Sequence, residues 1–198
     1  MRVKICGITK YEDALCAIEY GASAIGFVFY GKSPRLVAPE KAAEIVWRLP
    51  PFAERLGLFV EQTPAEIDTI CRVAGLGIAQ IQAEASEDFY AAIKTPVLKV
   101  VRARSQADLS RFSGEYRLID AFVDGYGGEG KRLPLEWFQG FAENNKVILA
   151  GGLRAETLAD LAPFGFYGVD VSSGVESARG VKDRELIKKF LSAAAKLL

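Results

Sequence analysis

The chain has no histidine among its 198 residues. That absence removes the Ser-His-Asp and Cys-His relays, the HExxH zinc site and any imidazole acid or base, so proton transfer must fall to Cys, Asp, Glu, Lys or Tyr. Net charge is missing as well, since 25 Lys plus Arg balance 25 Asp plus Glu. Such a balance supplies no broad electrostatic footprint for nucleic acid or an anionic membrane, and points to a small partner bound locally. The three cysteines, Cys6, Cys16 and Cys71, are odd in number, far apart and without CxxC spacing. They fit a reducing compartment better than a disulfide framework or a zinc site. No apolar run approaches the roughly 18 residues of a membrane span, and the first nine residues lack the apolar stretch and cleavage site of a signal peptide. A soluble, cytoplasmic protein is expected.

Half of the residues are apolar, which in a chain of this size sustains a substantial core without staples and predicts one domain over 1–198. Short apolar runs recur, each followed by helical periodicity. Strands are expected at 2–6, 24–29, 55–60, 78–82, 96–101, 117–122, 146–150 and 167–171. Helices are expected at 11–20, 39–48, 64–73, 86–94, 106–112, 134–143, 155–162 and 183–197, with Pro39, Pro64 and Pro134 near first turns and Ser86 as an N-cap. Strict alternation implies parallel strands joined by crossovers, either in an open sheet or in a closed ring. The predicted fold is α/β, a (β/α)8 TIM barrel with a parallel eight-stranded closed sheet, at the compact end of that architecture. Two longer loops, 30–38 and 123–133, follow strand C-termini, where such a barrel places its active site.

Period-two alternation sends Val3 and Ile5 toward the helices, and Lys4 and Cys6 into the barrel. Asp120 points inward with Leu118. A thiol and a carboxyl group thus reach one mouth from different sides of the ring, as a base and an acid flanking a substrate would. The plainer alternatives are a cysteine acting as small apolar filler, expected of Cys16 and Cys71, and a carboxylate that is merely paired. Asp170, also inward, is expected to pair with Lys4 across the closing seam. Gly151-Gly152 and Ser172-Ser173-Gly174 follow the last two strands, where backbone N–H groups converge on phosphate oxygens without basic side chains. Arg35 sits in a cationic loop and offers a bidentate fork for a carboxylate, unless it is an ordinary surface arginine. Residues 125–131 have GxxxxGK spacing, but Arg132 replaces the required Ser or Thr and Leu133-Pro134 delay the helix, so a glycine-rich lid fits better than a P-loop.

These motifs, in this order, resemble the phosphoribosylanthranilate isomerases. The resemblance lies in Val3-Lys4-Ile5-Cys6-Gly7-Ile8-Thr9, Gly26-Phe27-Val28-Phe29 with Lys32-Ser33-Pro34-Arg35, Leu118-Ile119-Asp120, Gly127-Gly128-Glu129-Gly130-Lys131, Ala150-Gly151-Gly152-Leu153, and Asp170-Val171-Ser172-Ser173-Gly174-Val175-Glu176. It implies an isomerase of tryptophan biosynthesis that catalyses the Amadori rearrangement of N-(5-phosphoribosyl)anthranilate to 1-(2-carboxyphenylamino)-1-deoxyribulose 5-phosphate, with neither cofactor nor metal. By motif position Cys6 is the general base and Asp120 the general acid. Arg35 meets the anthranilate end, while Gly151, Gly152, Asp170, Ser172, Ser173 and Gly174 bind the phosphorylated sugar. The implied partner is that small phosphorylated molecule, with the chain a monomer or homodimer. Two stretches depart from the family. Gln80-Ile81-Gln82-Ala83 stands where Gln-Leu-His-Gly is common, and Lys131 is followed by Arg132-Leu133-Pro134-Leu135-Glu136-Trp137 rather than Thr-Phe-Asp-Trp. A related phosphosugar epimerase and a non-catalytic phosphosugar-binding barrel are the competing readings, which fold alone does not separate.

Overall fold

Eight short runs of alternating character form the strands β1 (Arg2–Cys6), β2 (Ala24–Val28), β3 (Glu54–Phe59), β4 (Ile78–Ile81), β5 (Val97–Ala103), β6 (Arg117–Ala121), β7 (Val147–Leu149) and β8 (Gly168–Val171). The computed structural model describes residues 1–123 and 130–197. Each strand pairs in parallel with the next, and β8 returns to β1, closing a (β/α)8 barrel. The boundaries fall within two residues of those expected from sequence. Val3 and Ile5 pack in the outer layer between sheet and helices, together with Cys16 and Cys71. A smaller inner cluster, Leu56, Leu98, Val100, Leu118 and Ala150, fills the barrel below its mouth. Odd and even positions along each strand therefore serve two different layers.

The outer ring is less helical than periodicity predicts. Helices α1 (Tyr11–Glu19), α2 (Pro39–Val46), α3 (Pro64–Ala74), α4 (Glu87–Ala91) and α5 (Arg184–Ala195) form as expected, although α4 is short. The three expected between β5 and β8 do not. Residues 106–112 give the 3-10 turn Gln106–Ser110, 134–143 give Leu135–Phe138, and 155–162 give Ala155–Thr157 and Ala159–Phe164. Local chemistry explains the difference. Phe112 adopts φ 56°, Gly140 φ 70° and Gly165 φ 66°, and Pro163 lies inside the last turn, so none of these segments can propagate i to i+4 bonding for long. A two-stranded antiparallel hairpin, β9 (Glu176–Ala178) and β10 (Val181–Lys182), follows β8 and was not anticipated. No helix among the described residues is long and apolar enough to cross a membrane.

Candidate active site

The cavity at the C-terminal mouth of the barrel is bordered by every residue that sequence reasoning selected: Cys6, Arg35, Asp120, Gly151, Gly152, Asp170, Ser172, Ser173 and Gly174. Of the suggested lid, Gly130 and Lys131 border it too, whereas 124–129 lie outside the described residues. Cys6 ends β1 and is buried, and Asp120 lies near the end of β6. Gly26, opposite Cys6 on β2, keeps the floor open. A Cβ there would stand 2.9 Å from Lys4 Cε and 3.1 Å from Cys6 Sγ.

Burial pushes the Cys6 thiol above its ordinary 9.0, against the pull of Lys4, whose ammonium favours the thiolate, and of Lys182. Lys4 Nζ donates to Asp170 Oδ1 at 2.9 Å, with both side chains nearly fully buried. Burial opposes the charge on Lys4, but Asp170 and Cys6 outweigh it and its pKa rises. Asp120 is pushed up to about 6, first by burial and then by the neighbouring negative charge of Asp170. The amide of Ala121 donates to Asp120 Oδ1 at 2.8 Å and, with Arg102 and Lys4, limits the rise. A thiol that needs help to ionise and a carboxyl that holds its proton up to about pH 6 thus share one cavity.

Beside them lies a cradle of backbone. Gly151 and Gly152 adopt φ 93° and 59°, and a Cβ on Gly151 would stand 2.7 Å from Lys131 O and 2.8 Å from Asp120 Oδ1. Only residues without side chains let these turns approach so closely. Ser173–Val175 forms a single 3-10 turn directly after β8. Lys182 Nζ, from β10, donates to Ser172 O at 3.0 Å and to Glu176 Oε1 at 2.7 Å, pinning this loop.

Arg35 is neither surface-exposed nor unpaired. Its Nε and Nη2 donate to Glu176 Oε1 and Oε2, each at 2.8 Å, in a buried bidentate pair. Although burial opposes ionisation, Arg35 and Lys182 together hold the Glu176 carboxyl down at about 2. No sequence pattern assigns a role to Glu176 or to Lys182. The only signal was the position of Glu176 at the end of the Asp170–Glu176 motif, since the hairpin that brings Lys182 beneath it has no pattern of its own. Among the described residues, no group of three or more His, Cys, Asp or Glu side chains is placed to hold a metal ion.

Comparison with known proteins agrees with this geometry. The family model for N-(5'-phosphoribosyl)anthranilate isomerase matches residues 3–193. The N-(5'-phosphoribosyl)anthranilate isomerase of Sulfurovum sp. is 51% identical over 197 residues, covering 100% of both chains. The crystal structure of the enzyme from Thermus thermophilus superposes with a TM-score of 0.90 at 36% identity, again over 100% of each chain. A phosphoribosylanthranilate isomerase solved in complex with reduced 1-(o-carboxyphenylamino)-1-deoxyribulose 5-phosphate superposes with a TM-score of 0.86 at 35% identity over 99% of each chain. With its sequence matched from end to end and its motif residues gathered at one barrel mouth, the chain belongs to the phosphoribosylanthranilate isomerase family.

Proposed function

We propose that this enzyme converts N-(5-phosphoribosyl)anthranilate to 1-(2-carboxyphenylamino)-1-deoxyribulose 5-phosphate in tryptophan biosynthesis, with Asp120 as general acid and Cys6 as general base. The reading rests on one observation: a carboxyl from β6 that burial makes harder to ionise and a thiol from β1 border the same cavity as an anion cradle built from the ends of β7 and β8. Asp120 donates its proton to the ring oxygen as the C1–O bond breaks, and the anilino nitrogen lone pair forms the C1=N bond. Cys6, as thiolate, removes the proton from C2, and that electron pair shifts to give a neutral enolamine. Ketonisation places a proton on C1 and releases one from the 2-hydroxyl, so the reaction balances without oxidant, reductant or cofactor.

The remaining residues hold the substrate. Gly151, Gly152, Ser172, Ser173 and Gly174 offer backbone and hydroxyl donors to the phosphate, which fixes the ribose over the two proton-transfer groups. Asp170, beside Cys6, borders the sugar and keeps Lys4 in place to favour the thiolate. Arg35 meets the anthranilate carboxylate with the edge of its guanidinium that Glu176 leaves available. All these groups come from one chain, so the site is complete in a monomer or a homodimer.

The test is an assay with freshly generated phosphoribosylanthranilate, followed by the loss of its fluorescence. Cys6→Ser and Asp120→Asn are each expected to lower kcat by at least ~100-fold while leaving affinity for the reduced product analogue within a few-fold, as loss of an acid or base should. Unchanged turnover in both variants rejects these roles, and an epimerase would show activity on a different phosphosugar.

A further inference from the structure

The mouth of the barrel carries a polar pair that this chemistry does not yet use. Gln80 and Gln82, at and just beyond the end of β4, border the catalytic cavity and are 1% and 3% exposed. Gln80 Nε2 donates to Gln82 Oε1 at 3.1 Å. That bond fixes the plane of the Gln80 amide and leaves its Oε1 buried without a hydrogen-bond partner among the described residues. A buried acceptor left unpaired costs free energy, and it persists where something else satisfies it.

The ring order indicates which group does so. The proposed phosphate cradle lies at β7 and β8, and β4 stands across the barrel from β8. A substrate whose phosphate is held at β8, with Asp120 of β6 at the ring oxygen and Cys6 of β1 at C2, directs C1 and its nitrogen toward the β4 wall. Of the two proton donors at that end of the molecule, the 2-hydroxyl and the anilino N–H, the N–H belongs to the group that becomes cationic on ring opening. We propose that Gln80 Oε1 accepts a hydrogen bond from the anilino N–H of the substrate, and that Gln82 is the positioning residue that aims it. The contact rests on the acid–base reading above and adds a third element to it. Ring opening turns the neutral amine into an iminium, whose N–H is a stronger donor. The bond therefore strengthens as positive charge develops and favours the transition state over the ground state. The same pairing explains how a chain without histidine keeps its β4 wall ordered: Gln82, at the place where the family commonly carries histidine, holds Gln80 through an amide–amide bond.

The experiment compares wild type, Gln80→Met and Gln80→Glu. Met nearly preserves side-chain length but removes the acceptor, whereas Glu retains one. Gln80→Met is expected to lower kcat by about 10- to 100-fold, as for loss of a hydrogen bond to a charged group, with KM and affinity for the reduced product analogue changed by less than about threefold. Its apo-enzyme Tm is expected to stay within a few degrees of wild type, because the unpaired Gln80 Oε1 is removed while Gln82 Oε1 loses its donor. Gln80→Glu is expected to recover part of the lost turnover. Wild-type kcat in Gln80→Met overturns the proposal, as does a loss of kcat accompanied by a comparable loss of Tm, which marks a purely structural amide. If wild type itself does not turn over phosphoribosylanthranilate, the acid–base reading fails. If wild type is active and Gln80→Met equally so, only the Gln80 contact fails.

Discussion

Asp120 and Cys6 are both harder to ionise than usual, yet the proposed acid and base roles require opposite protonation states: the carboxyl protonated and the thiol ionised. The productive combination is therefore a minority form at neutral pH, and the dependence of kcat/KM on pH follows from that. Below about 6 Asp120 holds its proton, and each pH unit multiplies the thiolate tenfold, so the rate rises with pH. Between the two pKa values gain of thiolate and loss of protonated Asp120 cancel, giving a plateau. Above the pKa of Cys6, which burial lifts beyond 9.0, the thiolate is saturated while the acid continues to be lost, and the rate falls. The profile is expected to bend near pH 6 and to turn down only above 9. An acid limb near the ordinary carboxyl value of 3.8 would show that burial and Asp170 do not raise Asp120 in solution. The inward direction of both groups was legible from alternation along β1 and β6, because a period of two leaves no choice of face once Val3 and Ile5 take the outer side. The bidentate lock on Arg35 was not legible, because it joins positions 141 apart in sequence through a hairpin with no sequence signature.

At the scale of elements, the strands were far easier to anticipate than the helices around them. Each strand is buried on two faces by the closed sheet, so its apolar run leaves little freedom of boundary. The segments after β5, β6 and β7 are short enough for single residues such as Gly140 and Pro163 to decide their form, and 3.6-residue periodicity does not register such breaks. Side-chain caps start three of the helices that do form, α3, α4 and α5, whereas α1 and α2 begin without one. Asp183 accepts from the amides of Glu185 at 2.8 Å and Leu186 at 3.1 Å and starts α5, which buries Ile187, Phe190, Leu191 and Ala194. Asp183→Ala is expected to cost about 1 kcal/mol, the usual value of a side-chain N-cap. The check is the urea midpoint at unchanged m-value, with turnover near that of wild type, since the residue lies beyond the hairpin and outside the cavity. No change in midpoint would mean that packing of the apolar face alone starts this helix.

Closure of the whole barrel concentrates at one seam, where the first and last strands meet although 166 residues separate the paired side chains. β1 and β8 align Lys4 with Asp170, and their 2.9 Å ion pair bridges the seam from inside the barrel, just below Cys6. Desolvating two charges offsets much of their attraction, so the pair contributes little compared with two well-packed apolar residues. Removing one partner is different, because the other is left as an uncompensated charge in a site it cannot leave, at a cost of about 3–5 kcal/mol. Lys4→Met and Asp170→Asn are each expected to lower unfolding free energy by about that amount. The double change Lys4→Met with Asp170→Asn is expected to cost well under the sum of the two single effects, since no charge is then stranded. Urea unfolding of the three variants measures both quantities. Single variants as stable as wild type would mean that backbone pairing alone closes the ring. Losses that simply add would mean that Lys4 and Asp170 each act through neighbours other than one another, with Cys6 for Lys4 and Asp120 for Asp170 the nearest candidates.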